Sequence, residues 1–434
     1  MAVEGWISVA GERMHIDTMR RIDFRFGVPL CAIATLLLWP LKLLPRSAPR
    51  LPRRALFVGL SELGSVVLAG PAMRKAQVRL KTELFFAIFE VNKSSVAITG
   101  IVPDANVFVM RSDSLVHLVY DTIRFLIWVR RQKIDTVVDL ELFSRFTALL
   151  TGCCGADRKV GFYRFHNEGL YRGEMLTHRV AYNPHIHITK NFVALIDALL
   201  SVEPTVPYSK TIIADADISV SIRPADHDAR SKMIDQIKSC IAEFDPRRHS
   251  LVLINPNASD LLPQRRWMPD RFAELIQRVL AAQKDVFVLI TGAASERLAA
   301  ERLAEVVGHP RCISFAGKTT LMDLPALYAV STLMLTNDSG PAHFAAASGL
   351  ATIVLFGPET PKLYGPLGNS RVIYAGLACS PCASAFNHRK TACTDNVCMQ
   401  AISVDQVFGE LQSMLASLPK DSNSDTGLSA PGNG

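Results

Sequence analysis

Short apolar runs alternate with amphipathic stretches along most of the chain. In the first half, the predicted strands are residues 55–60, 96–98, 107–109, 136–140 and 160–162. The predicted helices are residues 115–131, 141–151 and 191–200. Short, continuously apolar strands are typical of parallel sheets that helices cover on both faces. The first half therefore predicts an α/β domain.

The alternation restarts after residues 203–225, which are richer in Pro, Ser and Asp. The strands predicted there are residues 251–255, 286–291, 312–315, 333–336 and 351–356. The helices are residues 269–282, 295–307, 323–330, 341–348 and 404–418. Two such runs predict two doubly wound domains with parallel sheets, which bind ligands at the carboxyl ends of their strands.

The predicted domain organisation has five parts. An N-terminal segment covers residues 1–50, a first domain 51–205, a linker 206–225 and a second domain 226–419. Residues 420–434 are rich in Ser, Asn, Gly and Pro, which predicts a disordered tail.

The N-terminal segment combines basic charge with a sixteen-residue apolar run, residues 26–41. Residues 1–54 hold nine of the Lys and Arg and four of the Asp and Glu, so most of the formal net charge of +7 lies there. This local charge argues against nucleic-acid binding over the whole fold and suits an anionic membrane surface. A spanning helix needs about 20 apolar residues, and no signal cleavage site follows the run. We expect a monotopic or re-entrant membrane anchor; a single span and a buried core helix are the alternatives.

Four of the nine cysteines, Cys379, Cys382, Cys393 and Cys398, lie within twenty residues. The chain shows no export signal, which argues against a disulfide framework. The spacing suits a structural zinc site or an iron–sulfur site, and reduced cysteines packing a loop are the alternative.

The run Asn-Asp-Ser-Gly-Pro at residues 337–341 leads from a predicted strand into a predicted helix. Asp and Ser cap helices, Gly permits close approach of the backbone, and Pro is tolerated in the first turn. A helix N-terminus at a strand end binds anions, and His343 lies about one turn further on. The run therefore predicts a diphosphate site, although a plain helix cap has the same pattern. Asn257 and Ser259, and the motifs at 264–269 (Gln-Arg-Arg-Trp-Met-Pro) and 356–361 (Phe-Gly-Pro-Glu-Thr-Pro), follow other predicted strands.

These motifs together resemble glycosyltransferase family 9, the bacterial lipopolysaccharide heptosyltransferases, from about residue 51 to 418. The resemblance implies the GT-B fold, in which two Rossmann-like domains face a cleft. The family's Asp-Ser/Thr-Gly-x-x-His motif falls on Asp338, Ser339, Gly340 and His343. Its phosphate-contacting basic residue falls on Arg265, with Arg266 adjacent. Its acid that holds the donor nucleoside falls on Glu296, for which a helix N-terminal acid is the alternative.

The resemblance places the catalytic base, an Asp directly after a Gly, at Ser65. A serine cannot act as a carboxylate base, so we expect Glu62 to take this role; capping of the next helix is the alternative. Ser61 and Ser65 are predicted on the acceptor side. Glu141 and Arg145, four residues apart, either position the acceptor or form an ion pair on a helix surface.

The resulting hypothesis is an inverting glycosyltransferase that requires no metal or other cofactor. It would move a heptose or related sugar from a nucleotide diphosphate to a lipopolysaccharide-like or lipid-linked acceptor, at the cytoplasmic face of the inner membrane. The alternatives are a nucleotide-sugar epimerase of the same fold and a catalytically decayed, membrane-associated binding protein.

Overall fold

In the computed structural model, the described residues are 7–9, 12–14, 16–40, 52–60, 63–201 and 207–418. They fall into two compact units. Unit 1 comprises Met1–Arg223 and Pro361–Gly368, and unit 2 comprises Pro224–Thr360 and Asn369–Gly434. The predicted tail at 420–434 lies outside the described residues.

Unit 1 is built on a six-stranded parallel sheet, preceded in the chain by a small antiparallel hairpin. The hairpin strands are β1 (Ile7–Val9) and β2 (Glu12–Met14). The sheet strands are β3 (Arg54–Val58), β4 (Glu83–Phe89), β5 (Val107–Met110), β6 (Thr136–Asp139), β7 (Arg158–Phe162) and β8 (His178–Val180). Their order is β5-β4-β3-β6-β7-β8. The chain runs from β3 at the centre to β5 at one edge, returns to the centre, and then runs from β6 to β8 at the other edge.

Helices cover both faces of this sheet. They are α1 (Ile16–Leu38), α2 (Leu63–Leu68), α3 (Gly70–Lys75), α4 (Lys93–Thr99), α5 (Leu115–Arg131), α6 (Arg145–Cys153) and α7 (Ile188–Leu200). A π-helical turn, Ala76–Leu80, follows α3. Successive strand residues point to opposite faces, so Phe57 and Phe86 pack into one core cluster while Leu56 and Phe85 pack into another.

Helix α1 packs against α6. Gly27 allows the close approach, because a Cβ atom there would lie 2.5 Å from Cβ of Arg145. Cys31 on the same side of α1 is fully buried. Residues 26–38 of the predicted apolar run thus form the second half of a longer helix, Ile16–Leu38, and residue 41 lies outside the described residues. Among the described residues, no helix has the length and apolar character needed to cross a membrane.

Unit 2 repeats the same strand order in a second parallel sheet, β11-β10-β9-β12-β13-β14. The strands are β9 (Ser250–Asn255), β10 (Val286–Ile290), β11 (Cys312–Ser314), β12 (Leu333–Asn337), β13 (Ala351–Phe356) and β14 (Ser370–Tyr374). The helices are α8 (His227–Cys240), α9 (Pro269–Ala282), α10 (Arg297–Val307), α11 (Leu324–Ala329), α12 (Gly340–Ala347), α14 (Val397–Gln400) and α15 (Val404–Ser417). A further short helix, α13 (Pro361–Tyr364), lies in the segment that belongs to unit 1.

The two doubly wound parallel sheets confirm the predicted fold class, while two local predictions were wrong. Residues 96–98, predicted as a strand, lie in α4, and the neighbouring strand is β4. The helix predicted at 141–151 begins only at Arg145, because Ser144 caps it by accepting a hydrogen bond from Thr147 N. The segment predicted as a linker includes a 3₁₀ turn, Asp215–Ile218, whose Ile218 packs into the core of unit 1.

Candidate active site

The loops that follow β9 and β12 are joined through Asn337 in unit 2. Asn337 is fully buried at the end of β12. Its Oδ1 accepts a hydrogen bond from Trp267 N at 3.1 Å, and its Nδ2 donates to Pro256 O at 2.8 Å. The Trp267 indole donates to Ile402 O, which fixes the other side of the same loop. This anchoring brings Arg265 to the end of β12.

A cluster of two acids and two arginines lies where β12 and β13 end. Asp338 follows β12, Glu359 follows β13, and both are almost completely buried. Nη1 of Arg265 lies 3.7 Å from Oδ2 of Asp338 and 3.7 Å from Oε2 of Glu359. Arg389, from the loop after β14, places its Nε 3.0 Å from Oε1 of Glu359. Because β12 and β13 are neighbours in the sheet, residues directly after them meet at one edge.

The pKa of Glu359 is raised from 4.5 to about 7. Burial is the largest cause, and the nearby Asp338 carboxylate adds to it by repulsion and by a hydrogen bond. Arg389 and Arg265 act in the opposite direction. With Glu359 protonated, the cluster holds two guanidinium groups and one carboxylate, so it carries net positive charge and suits an anionic ligand.

Helix α12 begins beside this cluster. Ser339 is its N-cap residue, and its hydroxyl makes no capping hydrogen bond in the described part of the chain. It lies 3.3 Å from Oγ1 of Thr336. Space beside Gly340 is open, since a Cβ there would meet no atom within 4 Å in the described structure. His343 is buried on the same helix. The predicted motif thus forms the start of a helix next to two arginines, which is a favourable place for phosphate.

Asn257 and Glu296 meet at the ends of β9 and β10. A Cβ on Gly292 would lie 2.8 Å from Nδ2 of Asn257 and 2.8 Å from Oε2 of Glu296, so a side chain at this position would displace both polar groups. Oε2 of Glu296 accepts a hydrogen bond from Ala293 N at 2.7 Å, as the alternative capping interpretation expects. Oγ of Ser259 accepts from the backbone of its own loop.

Arg266 turns away from the acid–arginine cluster. Its guanidinium donates to Ala258 O and contacts the Asp260 carboxylate. It therefore braces the loop after β9, while Arg265 alone of this pair reaches Asp338.

In unit 1, Glu141 supports the loop that follows β3. Its Oε1 accepts a hydrogen bond from Leu60 N at 3.0 Å. Ser61 and Glu62 come directly after Leu60 and lie outside the described residues, so the predicted base stays a prediction. Ser65 lies in α2, partly exposed.

Arg145 is buried within unit 1. It donates to Gly169 O at 2.6 Å and to Tyr171 O at 3.2 Å, and it pairs with Asp23 of α1 at 3.5 Å. Glu141 precedes the helix that Arg145 begins, so the predicted helix-surface ion pair does not form. These contacts make Arg145 the attachment point of α1.

The four clustered cysteines lie in different environments. Sγ of Cys382 lies 3.2 Å from Oγ1 of Thr391, and Sγ of Cys393 lies 3.3 Å from Oδ1 of Asp395. Cys379 is exposed, and Cys398 packs into the core of unit 2. Burial, together with the nearby Cys382 and Cys393, raises the pKa of the Cys398 thiol. In the described residues, no three His, Cys, Asp or Glu side chains are arranged to hold a metal ion. The zinc site stays a prediction that metal analysis of purified protein tests.

Sequence reasoning missed Glu359 and Arg389. A sequence signal for Glu359 was present, because this acid follows a predicted buried strand in the motif at 356–361. Its proximity to Asp338, however, depends on β13 lying next to β12 in the sheet. Arg389 comes from an irregular loop, and no sequence pattern pointed to it.

Comparison with known proteins adds a family and related folds. The model of the family described as glycosyltransferase family 9 (heptosyltransferase) matches residues 124–392. The structure of ADP-heptose LPS heptosyltransferase II from E. coli superposes with a TM-score of 0.62 at 18% identity, covering 84% of this chain and 98% of that one. A glycosyl transferase family 9 structure from Veillonella parvula gives a TM-score of 0.64 at 18% identity, covering 86% and 99%.

Curated relatives match over shorter stretches. Lipooligosaccharide heptosyltransferase 2 of Haemophilus influenzae is 31% identical over 114 residues, which cover 26% of this chain and 32% of that protein. The protein of the same name from Campylobacter jejuni is 26% identical over 169 residues, covering 37% and 50%. The chain thus spans at most about half the length of these relatives in the matches.

Proposed function

Because the chain belongs to glycosyltransferase family 9, the heptosyltransferase family, we propose that it transfers a heptose or related sugar from a nucleotide diphosphate to a lipopolysaccharide-like or lipid-linked acceptor. The observation that carries this proposal is the acid–arginine cluster of Arg265, Asp338, Glu359 and Arg389 at the start of α12. The E. coli structure named for ADP-heptose supports a nucleoside diphosphate heptose as the first donor to test.

In this reaction, the bond between the anomeric carbon and the phosphate oxygen breaks, and the nucleoside diphosphate leaves with added negative charge. Arg265, Arg389 and the N-terminus of α12 would stabilise that charge. A protonated Glu359 leaves the two guanidinium groups partly uncompensated, which strengthens their attraction for the leaving group. This supply of positive charge supports a transfer that requires no metal ion.

An inverting transfer needs a base that removes the proton of the acceptor hydroxyl as the new bond forms. We propose that Glu62 is this base. Leu60, two residues before Glu62, donates its backbone N–H to Oε1 of Glu141, and this hydrogen bond fixes the chain just before Glu62. Glu62→Gln should lower kcat by a factor of about 10² to 10⁴ without weakening donor binding. Glu243→Gln, at an exposed site in unit 2, is the control. Near-normal turnover of the Glu62 variant would remove Glu62 from this role.

The proposed acceptor is amphiphilic, and we propose that the enzyme meets it at the cytoplasmic face of the inner membrane with α1 lying on the surface. Leu36 and Leu37 near the end of α1 are each 73% exposed, and Trp39, directly after the helix, is 57% exposed. Arg21 and Arg25, near the beginning of the helix, are also exposed. An apolar face with basic residues suits the interface of an anionic bilayer.

The donor site is tested by a thermal-shift screen of nucleoside diphosphates and their sugars. One nucleotide should raise Tm, and Arg265→Gln should weaken its binding about 10- to 100-fold, as loss of a charge-assisted hydrogen bond predicts. Arg297→Gln, which removes a guanidinium from the exposed surface of α10, should bind like the wild type. If no nucleotide or nucleotide sugar shifts Tm, a non-catalytic binding protein becomes the better interpretation.

A further inference from the structure

The outward face of α5 is apolar, although it belongs to a helix on the surface of unit 1. Its exposed residues occur at helical spacing and include Leu115, Val116, Val119, Tyr120, Ile123 and Ile127. Val116 is 76% exposed and Val119 is 61% exposed. These six side chains are called the α5 face below. Surface helices of globular proteins normally place polar side chains outward, so a contiguous apolar face indicates a binding surface.

The inward side of α5 is already occupied. Phe125 and Val129 are buried in the core beneath the helix. Asp121 is also buried and pairs with Arg111 at 2.9 Å and with Arg124 at 3.0 Å. The helix is therefore fixed in its rotation about its own axis, and the α5 face points away from the core of unit 1.

The exposed charges on α5 itself are basic. Arg124, Arg130 and Arg131 are the basic residues of α5, and all three are exposed. The only acid of the helix is the buried Asp121. Asp113, exposed just before the helix, pairs with His117 of α5 at 2.9 Å. An apolar surface beside three exposed arginines is complementary to the acyl chains and anionic headgroups of a bilayer. Tyr120 adds an aromatic ring of the kind that lies at membrane interfaces.

A second copy of this chain fits the same face poorly. A two-fold dimer brings one patch against itself, so the arginines of both copies would enter one interface without an acid from α5 to compensate them. The charge pattern therefore favours a lipid surface over self-association.

Helix α5 is close to the proposed anchor. Both α1 and α5 pack against α6, and strand β1, of the hairpin that precedes α1, lies against α5. All these elements belong to unit 1.

We propose that the α5 face is a second membrane-binding surface, which holds unit 1 on an anionic bilayer together with α1. This proposal rests on the proposed function in one respect, namely that the acceptor is a lipopolysaccharide-like or lipid-linked molecule in a membrane. Two contacts on one unit fix its orientation on the bilayer, whereas one helix alone would let it rotate.

The test is flotation of the full-length protein with vesicles, without donor or acceptor. The variant Val116→Ser/Ile123→Ser should bind vesicles of phosphatidylcholine and phosphatidylglycerol in equal parts about tenfold more weakly than the wild type. Leu298→Ser/Val306→Ser removes similarly exposed apolar side chains, at 60% and 64%, from α10 of unit 2, and should bind like the wild type.

A second variant, Arg130→Gln/Arg131→Gln, tests the charge. Its affinity for the mixed vesicles should fall about fivefold per arginine, and its affinity for pure phosphatidylcholine vesicles should not change. Unchanged vesicle binding by both α5 variants overturns the proposal, and so does a dimer in size-exclusion chromatography that the apolar variant dissociates. The nucleoside diphosphate thermal shift should persist in every variant, so failure of this proposal is distinguishable from failure of the donor site.

Discussion

Glu359 gives a quantitative prediction for the pH dependence of stability. Its pKa is about 7 in the folded protein against an ordinary 4.5. Between these values, the folded state binds more protons than the unfolded state, so the stability of the wild type falls as pH rises through this window. The difference corresponds to about 3 kcal/mol. Glu359→Gln keeps the shape of the side chain and lacks this loss. The free energy of unfolding of this variant, relative to the wild type, should therefore increase by up to about 3 kcal/mol as pH rises from about 4.5 to about 8.

The assay is urea unfolding at several pH values, followed by tryptophan fluorescence, to which Trp267 contributes from the core of unit 2. The control is Glu301→Gln, which removes a partly exposed acid paired with Arg297 on α10. Its stability should follow the wild type at every pH. Parallel curves for Glu359→Gln and the wild type across the window would refute the burial argument for Glu359.

Three further substitutions test the packing. Trp267→Ala should cost about 3–5 kcal/mol in urea unfolding, since it leaves a large cavity and removes a hydrogen bond; a cost below about 1 kcal/mol would contradict the packing. Arg172→Met should cost about 3–5 kcal/mol because it leaves the Asp139 carboxylate buried without its cation, and adding Asp139→Asn should recover part of that loss. Gly27→Ala should loosen α1 from α6, because its Cβ would lie 2.5 Å from Cβ of Arg145, and trypsin should then cut within α1 faster than in the wild type.

The sheet strands of unit 2 were predicted well because parallel strands buried on both faces leave an unbroken apolar run. The prediction at 351–356 coincides with β13, and the prediction at 269–282 coincides with α9, which begins at a proline. Strand β4 was missed even though Glu83–Phe89 is largely apolar. The competing prediction at 96–98 failed because Val96 and Ile98 are buried apolar residues of a short helix, which a three-residue apolar run does not distinguish from a strand.

The candidate site was predictable only as far as its residues follow strands in an obvious order. Asp338 and Arg265 were expected to lie together, and they do. Arg145 was expected either to position the acceptor or to pair with Glu141, but a partner far away in sequence, Asp23, determines its environment. Long-range pairing of this kind leaves no local pattern.

The return of Pro361–Gly368 to unit 1 has a consequence for biosynthesis. Leu363 in this segment is 3% exposed in the core of unit 1, and Nε2 of His187 hydrogen-bonds to Gly365 O at 2.8 Å. A ribosome synthesises these residues only after most of unit 2, Pro224–Thr360, has been synthesised. The N-terminal unit cannot complete its native core during its own translation, so the usual order of vectorial folding, N-terminal domain first, does not apply to its last step. A nascent chain arrested shortly after Arg223 should expose that unfinished surface to chaperones.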